Sequence, residues 1–365
     1  MVKTRLARLR ALMRRRKLDG LLVNLPANRR YLSGFTPDDG QIGESSGALF
    51  ISQGQAVILT DFRYELTANE QARLFTTRIY RQGLAAELVK LVEEMRVKRL
   101  GFEADALLVS QHERLAKALE GVELAPTTGL VSELRVRKDP AELMALQASL
   151  DLMEEVLDRA LDQDLVGKTE LEVARAMVRA LEDAGAEGPA FPLIVASGPQ
   201  AAEPHAEPGP RVIQAGETVI FDVGARVDGY VCDISRTVVA GGLERASGPF
   251  REVYDTVRRA QVAAIEGIRP GMTGQDADAI ARRIIEQAGH GARFGHSLGH
   301  GVGLDTHEAP SLSPRSTDVL QPGMVFTIEP GIYLPGWGGV RLEQMTLLTE
   351  DGCCLLNNLG RFYGE

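Results

Sequence analysis

A chain of 365 residues exceeds the size at which a single hydrophobic core stops growing, so two domains are expected. With 44% hydrophobic residues, 25% charged residues and a formal net charge of -9, the composition excludes a disordered or fibrous chain and disfavours general attraction to nucleic-acid phosphates. No apolar run approaches the roughly 20 residues that span a bilayer; Cys232, Cys353 and Cys354 are too few and too uneven for a disulfide framework or zinc ribbon, so a reducing cytoplasm is the expected setting, with no nucleic-acid or membrane partner.

The basic cluster at the amino end, from Lys3 to Lys17, is followed by no uninterrupted apolar stretch of the kind a secretory signal needs. It reads as the solvated face of an amphipathic helix, Thr4 to Arg16. Short apolar strands follow at Gly20 to Asn24, Ala48 to Ser52 and Ala56 to Thr60, with a further helix at Ala85 to Glu94, an α/β pattern. Near Val131 the text turns charged, which places a domain boundary there and divides the chain into 1–131 and 132–365. Asp139 and Pro140 then read as an N-cap with proline at the first helical position. The helix they open carries Leu143, Leu146, Leu150, Met153 and Leu157 at helical spacing. Helices are expected again at Thr169 to Ala184, Gly248 to Glu266 and Asp276 to Glu286, a strand at Thr218 to Gly224, and mostly strands and turns over the last hundred residues.

Two β-rich runs flank Asp228-Gly229, a dipeptide suited to a two-residue hairpin turn. Pairing Val227 with Tyr230 sets Asp222 opposite Ser235 and puts Asp233 on the same face, diagonal to Asp222 and close enough to share an ion. A second hairpin is expected around Pro335 to Gly339. Pairing Leu334 with Val340 sets Glu329 opposite Met345, with Glu343 on the same face. A one-residue change of register would send one member of each pair to the other face. One such carboxylate pair reads as a salt bridge or a solvated face. Two pairs on inner strand faces would repel each other by several kcal/mol unless cations neutralised them, and oxygen-rich clusters suit manganese, magnesium, cobalt or zinc.

Five of the six histidines fall in the second segment, three of them in the stretch FGHSLGHGVGLDTHE from Phe294 to Glu308. A lone histidine is usually structural, but His296, His300 and His307 crowd one short loop, and at least one is expected to bind metal. Gly299, Gly301 and Gly303 are expected to let the backbone pass close to a ligand.

Together these residues resemble the pita-bread metallopeptidases, peptidase family M24, which include methionine aminopeptidase, aminopeptidase P and prolidase. The five-ligand pattern of that family falls on Asp222 in FDVGA, Asp233 in DISRT, His300 in GHGVGL, Glu329 in TIEPGIY and Glu343 in VRLEQ. YLSGFT at Tyr31 to Thr36 and TDFRY at Thr60 to Tyr64 look like recurring segments of the N-terminal domain that the proline-specific members carry. The resemblance implies an α+β chain: a creatinase-like α/β N-terminal domain before a pita-bread catalytic domain. It implies two divalent metal ions (manganese, cobalt or zinc), a homodimer, and short proline-containing peptides as substrates, cut at the Xaa-Pro bond by an Xaa-Pro aminopeptidase or Xaa-Pro dipeptidase. Asp233 and Glu343 would bridge the ions, Asp222 complete one site, and His300 with Glu329 the other. Bridging lowers the pKa of water toward neutrality, which supplies the nucleophile. Glu329 would accept its proton, His296 and His307 would stabilise the oxyanion or the leaving nitrogen, His205 in EPHAE would position the amide, and Arg341 would support the acidic cluster as an ion pair. A dipeptidase could clamp the free carboxylate with an arginine, for which Arg315 is the candidate.

Two departures stand out: Gln344 where many proline-specific members carry an acid, which bears on the support of Glu343, and the acidic, proline-rich text after His205, which bears on the substrate entrance. A non-catalytic peptide-binding homologue and a creatinase-like C–N hydrolase of the same fold are the competing readings, and the intact ligand set argues against both.

Overall fold

Apolar runs a few residues long, separated by turn residues, pair into the sheet of the first of two units, Met1–Arg135, in a computed structural model that describes residues 1–41 and 43–363. Its strands β1 (Gly20–Val23), β2 (Ala48–Ser52), β3 (Ala56–Thr60), β4 (Thr76–Ile79), β5 (Arg99–Glu103) and β6 (Glu123–Thr127) lie in the order β4-β3-β2-β1-β5-β6. Helices α1 (Val2–Arg15), α2 (Pro26–Ser33), α3 (Glu65–Gln71), α4 (Leu84–Met95), α5 (Val109–Ala118) and α6 (Ser132–Arg135) connect and cover them. Leu22, Phe50, Leu59, Leu88, Leu91 and Leu100 form the core between sheet and helices. In α1, Leu6, Leu9 and Met13 face inward while Arg8, Arg15 and Arg16 stay in solvent, as the amphipathic pattern requires; Arg5 is the exception, buried with its guanidinium 4.0 Å over the Tyr31 ring.

The second unit, Val136–Glu365, opens with α7 (Pro140–Leu161). Asp139 accepts hydrogen bonds from the Ala141 and Glu142 amides while the Glu142 carboxylate accepts one from the Asp139 amide, the reciprocal cap that starts the helix. Leu146, Leu150, Met153 and Leu157 are buried along one stripe. Helices α8 (Glu170–Asp183), α9 (Phe250–Gly267) and α10 (Gly274–Gln287) complete the helical layer. The strands are β7 (Gly188–Pro189), β8 (Ile194–Ser197), β9 (Thr218–Val223), β10 (Ala225–Val227), β11 (Tyr230–Val231), β12 (Ile234–Val239), β13 (Gly299–Gly301), β14 (Glu308–Leu312), β15 (Val325–Ile328), β16 (Gly331–Leu334), β17 (Gly338–Arg341), β18 (Gln344–Thr349) and β19 (Gly352–Leu355). They pair as β12-β9-β8, β11-β10-β7, β14-β13-β15-β18-β19 and β16-β17.

Two long hairpins run through these small sheets, and each is broken in the middle. In the first, Asp228 and Gly229 both take positive φ (46° and 71°), as a tight two-residue turn demands, and Val227 pairs with Tyr230. The same register carries past the break at Gly224 to put Asp222 opposite Ser235, as expected from the turn. In the second hairpin Leu334 pairs with Gly338, not Val340, so the turn is three residues long, and Thr327 rather than Glu329 meets Met345. The expected register is therefore off by two. Because side chains alternate with period two, the shift leaves both carboxylates on their face and brings Glu329 directly opposite Glu343, in the break between the Ile328–Gln344 and Gly331–Arg341 pairs.

The first break has a steric cause. A Cβ on Gly224 would lie 2.2 Å from the Cys232 carbonyl oxygen and 2.8 Å from the Phe191 ring, so only glycine lets the two strands approach beside Asp233. Gly224→Ala is expected to cost about 1–3 kcal/mol in thermal or denaturant unfolding. Gly54→Ala, where a Cβ meets nothing within 4 Å, serves as the control and should unfold like the parent.

Candidate metal centre

The strand breaks gather the acidic side chains into one cavity of about 780 Å³ in the second unit, whose walls include Asp222, Asp233, His300, Glu329 and Glu343. Asp222 comes from β9, Asp233 from the residue before β12, His300 from β13, Glu329 from the residue after β15, and Glu343 from the joint between β17 and β18. Asp233 and Glu343 are buried; Asp222, His300 and Glu329 are half-buried. One ligand atom each of Asp233, His300 and Glu343 lies within 4.8 Å of the others. His300 Nε2 stands 3.3 Å from Glu329 Oε1 and 3.6 Å from Asp233 Oδ2.

The charges are only partly balanced by protein. Asp222 is held by Arg341 Nη2 at 2.5 Å, and Glu343 Oε2 accepts from Ser235 Oγ at 2.8 Å. Burial, then the fields of Glu343, Asp222 and Glu329, push the Asp233 carboxyl well above its ordinary range. Burial together with Glu329 and Asp222 does the same to Glu343. Burial works against ionisation of Glu329 too, but the hydrogen bond and charge of His300 outweigh it and hold this carboxyl down at about 2. For His300, burial works against protonation, yet its bond to Glu329 and the fields of Glu329 and Glu343 push the imidazole up to about 9.

Asp233 Oδ1 and Glu343 Oε1 are buried and accept no hydrogen bond among the described residues. Two carboxylate oxygens in that condition, beside an imidazole and two further carboxylates, fit a divalent cation, which supplies the charge and the coordination that no protein donor gives. The imidazole is oriented for it: His300 Nδ1 lies 3.2 Å from the Gly301 carbonyl, to which it donates, so that Nε2 is the nitrogen turned toward the carboxylates.

Around this cluster runs a chain of hydrogen bonds. Arg341 Nη1 donates to the Tyr333 hydroxyl at 2.9 Å and to the Pro204 carbonyl at 3.1 Å, and its Nε donates to Ser235 Oγ. Tyr333 Oη is 2.9 Å from His296 Nε2, and His296 Nδ1 is 2.8 Å from the Ser297 carbonyl. A carbonyl only accepts, so Nδ1 carries the proton and Nε2 accepts from Tyr333. Both nitrogens of His296 are thus occupied, and burial pushes its pKa down. His205 and His307 line the same cavity with exposed side chains, the His307 ring 4.2 Å from that of His300.

Arg315 does not join this group. It is exposed on a turn closed by the Ser316 amide and the Ser313 carbonyl and does not line the cavity, because a charged side chain after Pro314 is hydrated more easily than turned inward. The glycines beside His300 also serve another purpose than the expected one. A Cβ on Gly299 would meet the Thr327 carbonyl at 2.0 Å and one on Gly301 the Ala309 carbonyl at 2.2 Å, so they press β13 between its neighbours. Gln344 is buried away from the cavity with Oε1 unpartnered, whereas Glu207 and Pro208, from the acidic text after His205, do form part of the cavity wall. Ser235, Thr327 and Tyr333 were missed by residue type. Their parity on the two hairpins, two residues from a ligand or a multiple of two, is the signal that places them.

Comparison with known proteins places the chain in a family. The model of metallopeptidase family M24 matches residues 144–350 and that of the creatinase/prolidase N-terminal domain matches residues 5–137. An Xaa-Pro dipeptidase of Pyrococcus furiosus is 35% identical over 361 residues, 99% of this chain and 99% of that one. The solved structure of an Xaa-Pro dipeptidase from Bacillus anthracis superposes with a TM-score of 0.93 at 36% identity, covering 99% of this chain and 98% of that one. That of an X-Pro aminopeptidase from Thermotoga maritima gives 0.89 at 32%, covering 98% of each. With the family model spanning more than half of the sequence and relatives matched from end to end, the chain belongs to metallopeptidase family M24, its catalytic part preceded by a creatinase/prolidase N-terminal domain.

Proposed function

We propose that the chain hydrolyses the Xaa-Pro bond of short peptides, as an Xaa-Pro dipeptidase or Xaa-Pro aminopeptidase, with two divalent ions (manganese, cobalt or zinc) held by Asp222, Asp233, His300, Glu329 and Glu343. The observation that carries this reading is the pair of buried oxygens, Asp233 Oδ1 and Glu343 Oε1, without a partner among the described residues, in a group with His300 on a cavity wall shared with Asp222 and Glu329. The names of the relatives supply the substrate class. Asp233 and Glu343 would be shared between the ions, Asp222 would serve one, and His300 with Glu329 the other. Bound there, such ions polarise a carbonyl and bring the pKa of water close to neutrality.

The protein's own groups then divide the remaining tasks. Glu329, on the cavity wall beside His300, would accept the proton. His307 and His205, exposed on the cavity wall, are free to meet the peptide around its scissile bond. His296 keeps no free N–H, so we assign it to positioning through Tyr333 and Arg341 rather than to proton donation. Arg341 is committed to Asp222, Tyr333, Ser235 and Pro204, which leaves the two exposed histidines to face a peptide's leaving side. The tertiary amide before proline has no N–H to offer, so recognition falls on its carbonyl and on the peptide's amino end. The homodimer implied by the resemblance belongs to the same proposal.

Hydrolysis of a matched Xaa-Pro dipeptide and Xaa-Pro tripeptide by the manganese-loaded protein tests the reading. Cleavage of the dipeptide alone marks a dipeptidase and cleavage of the tripeptide an aminopeptidase. Asp233→Ala should abolish either, and a metal-loaded parent that cleaves neither overturns the proposal. Metal loading should also expel protons. Asp233, Glu343 and His300 all hold protons more tightly than usual in the metal-free site, and cations bind only their deprotonated forms, so affinity should rise with pH at least through about 9, where His300 is half-protonated. Calorimetry in buffers of different ionisation enthalpy measures this, and a pH-independent affinity contradicts it. Finally, Tyr333→Phe strands His296 Nε2 and one Arg341 donor in a buried site. It should lower stability by about 1–3 kcal/mol and kcat/KM by about 10- to 100-fold, read from unfolding curves and initial rates; parent-like values in both would remove Tyr333 from the positioning chain.

A further inference from the structure

Arg236 lies one residue beyond Ser235 on β12, on the opposite face of the strand, and it is fully buried. No carboxylate among the described residues pairs with it. Instead its donors go to four main-chain carbonyls: Nη1 to Glu343 at 2.8 Å and Ser235 at 3.0 Å, Nη2 to Leu359 at 2.5 Å, and Nε to Gly360 at 2.9 Å. The Phe362 ring covers the guanidinium face at 4.3 Å. One side of the fork therefore grips the two strands that carry metal-site side chains, and the other side grips the C-terminal segment.

Glu343 needs this grip more than its neighbours do. It sits in the joint between β17 and β18, outside both ladders. Its amide donates to the Ser235 carbonyl at 3.1 Å, and its carbonyl accepts from Arg236. The C-terminal segment is in turn tied down along its length. Asn357 and Asn358 are held by Glu154 of α7, Arg361 reaches Asp158 of the same helix at 2.6 Å and Asp162, which caps its C-terminal end, at 2.7 Å, and the Tyr363 amide donates to the Tyr254 hydroxyl of α9. A buried guanidinium keeps one orientation only while all its bonds are made. The tail carbonyls thus fix the plane of Arg236, and Arg236 fixes the main chain of Glu343.

We propose that residues 357–363 act as a strap which, through Arg236 as a positioning residue, sets Glu343 for metal binding; the inference rests on the metal reading given above. The coupling is reciprocal, so a cation that draws Glu343 into place must also steady the tail. Hydrogen–deuterium exchange of the full-length protein, with and without Mn2+, tests this directly: the amides of Asn358 and Tyr363 should exchange several-fold more slowly when Mn2+ is bound. Calorimetric Mn2+ titration of a chain ending at Asn358, and of Arg236→Lys, should show affinity at least about tenfold weaker, with the metal-free far-UV circular dichroism and cooperative melt retained. Should the shortened chain not fold, the exchange experiment and Arg236→Lys carry the test. Unchanged tail exchange in a parent that binds Mn2+, or parent-like affinity in a folded variant, overturns the strap alone. A parent that binds no Mn2+ overturns the metal reading and the strap with it.

Discussion

Four carboxylates drawn into one cavity set the terms for the rest of the second unit. Two like charges about 4 Å apart at an effective dielectric near 20 oppose assembly by about 4 kcal/mol, and Asp233 and Glu343 offer oxygens within 4.8 Å of each other. The protein relieves part of this with Arg341 on Asp222, His300 on Glu329 and the Ser235 hydroxyl on Glu343. Among the described residues Asp233 has no such partner beyond the edge of His300, and together with Glu343 it is driven toward the neutral acid. The fold therefore builds a site that must hold either protons or cations.

Placing the four groups together demands that strand geometry be interrupted. In an unbroken hairpin, alternate residues share a face, but the pleat keeps their side chains parallel and the twist carries successive pairs apart. Both hairpins here break beside their carboxylates, at Gly224 with Cys232 and Asp233, and at Glu329 and Pro330 with Leu342 and Glu343. The register passes through each break unchanged. What is lost is part of the local ladder, where the Cys232 amide to Ala225 and the Leu342 amide to Pro330 are kept, and cross-hairpin bonds supplement it: the Glu343 amide to Ser235, the Arg341 amide to Thr237 Oγ1, and the Glu343 carbonyl to Arg236. Such bonds make the site dependent on residues remote in sequence.

That dependence explains which parts were legible in the sequence. Asp228-Gly229 permits one kind of turn, so counting outward from it places Asp222 opposite Ser235 correctly across the intervening strand and turn, and the capping signature at Asp139 locates the start of α7. The segment from Pro335 to Gly339 allows several loop lengths, and the pairing drawn from it missed by two. An even error is harmless to facing, so the four carboxylates were still placed together. Contacts between hairpins carry no local signal. Ser235 could be placed on the right face but not against Glu343, and Arg315 could not be told from an arginine that enters the cavity, because loop orientation follows from packing over long sequence distances. The glycines around His300 were read as making room for a ligand when they make room for neighbouring strands.

The direction of the hydrogen bonds completes the argument about the histidines. Arg341 can only donate, so the Tyr333 oxygen receives its proton and spends its own on His296 Nε2, while the Ser297 carbonyl takes the Nδ1 proton. A ring held this way on both nitrogens gives no proton to a peptide, however near it lies to the cavity. Among the described residues nothing holds His307 or His205 in this way, and both are exposed. The three histidines that composition treats alike thus separate into one that stiffens the wall and two that face the solvent side of the cavity, and the separation follows from the Ser297 carbonyl and the Tyr333 hydroxyl occupying both ring nitrogens of His296 while His205 and His307 are exposed.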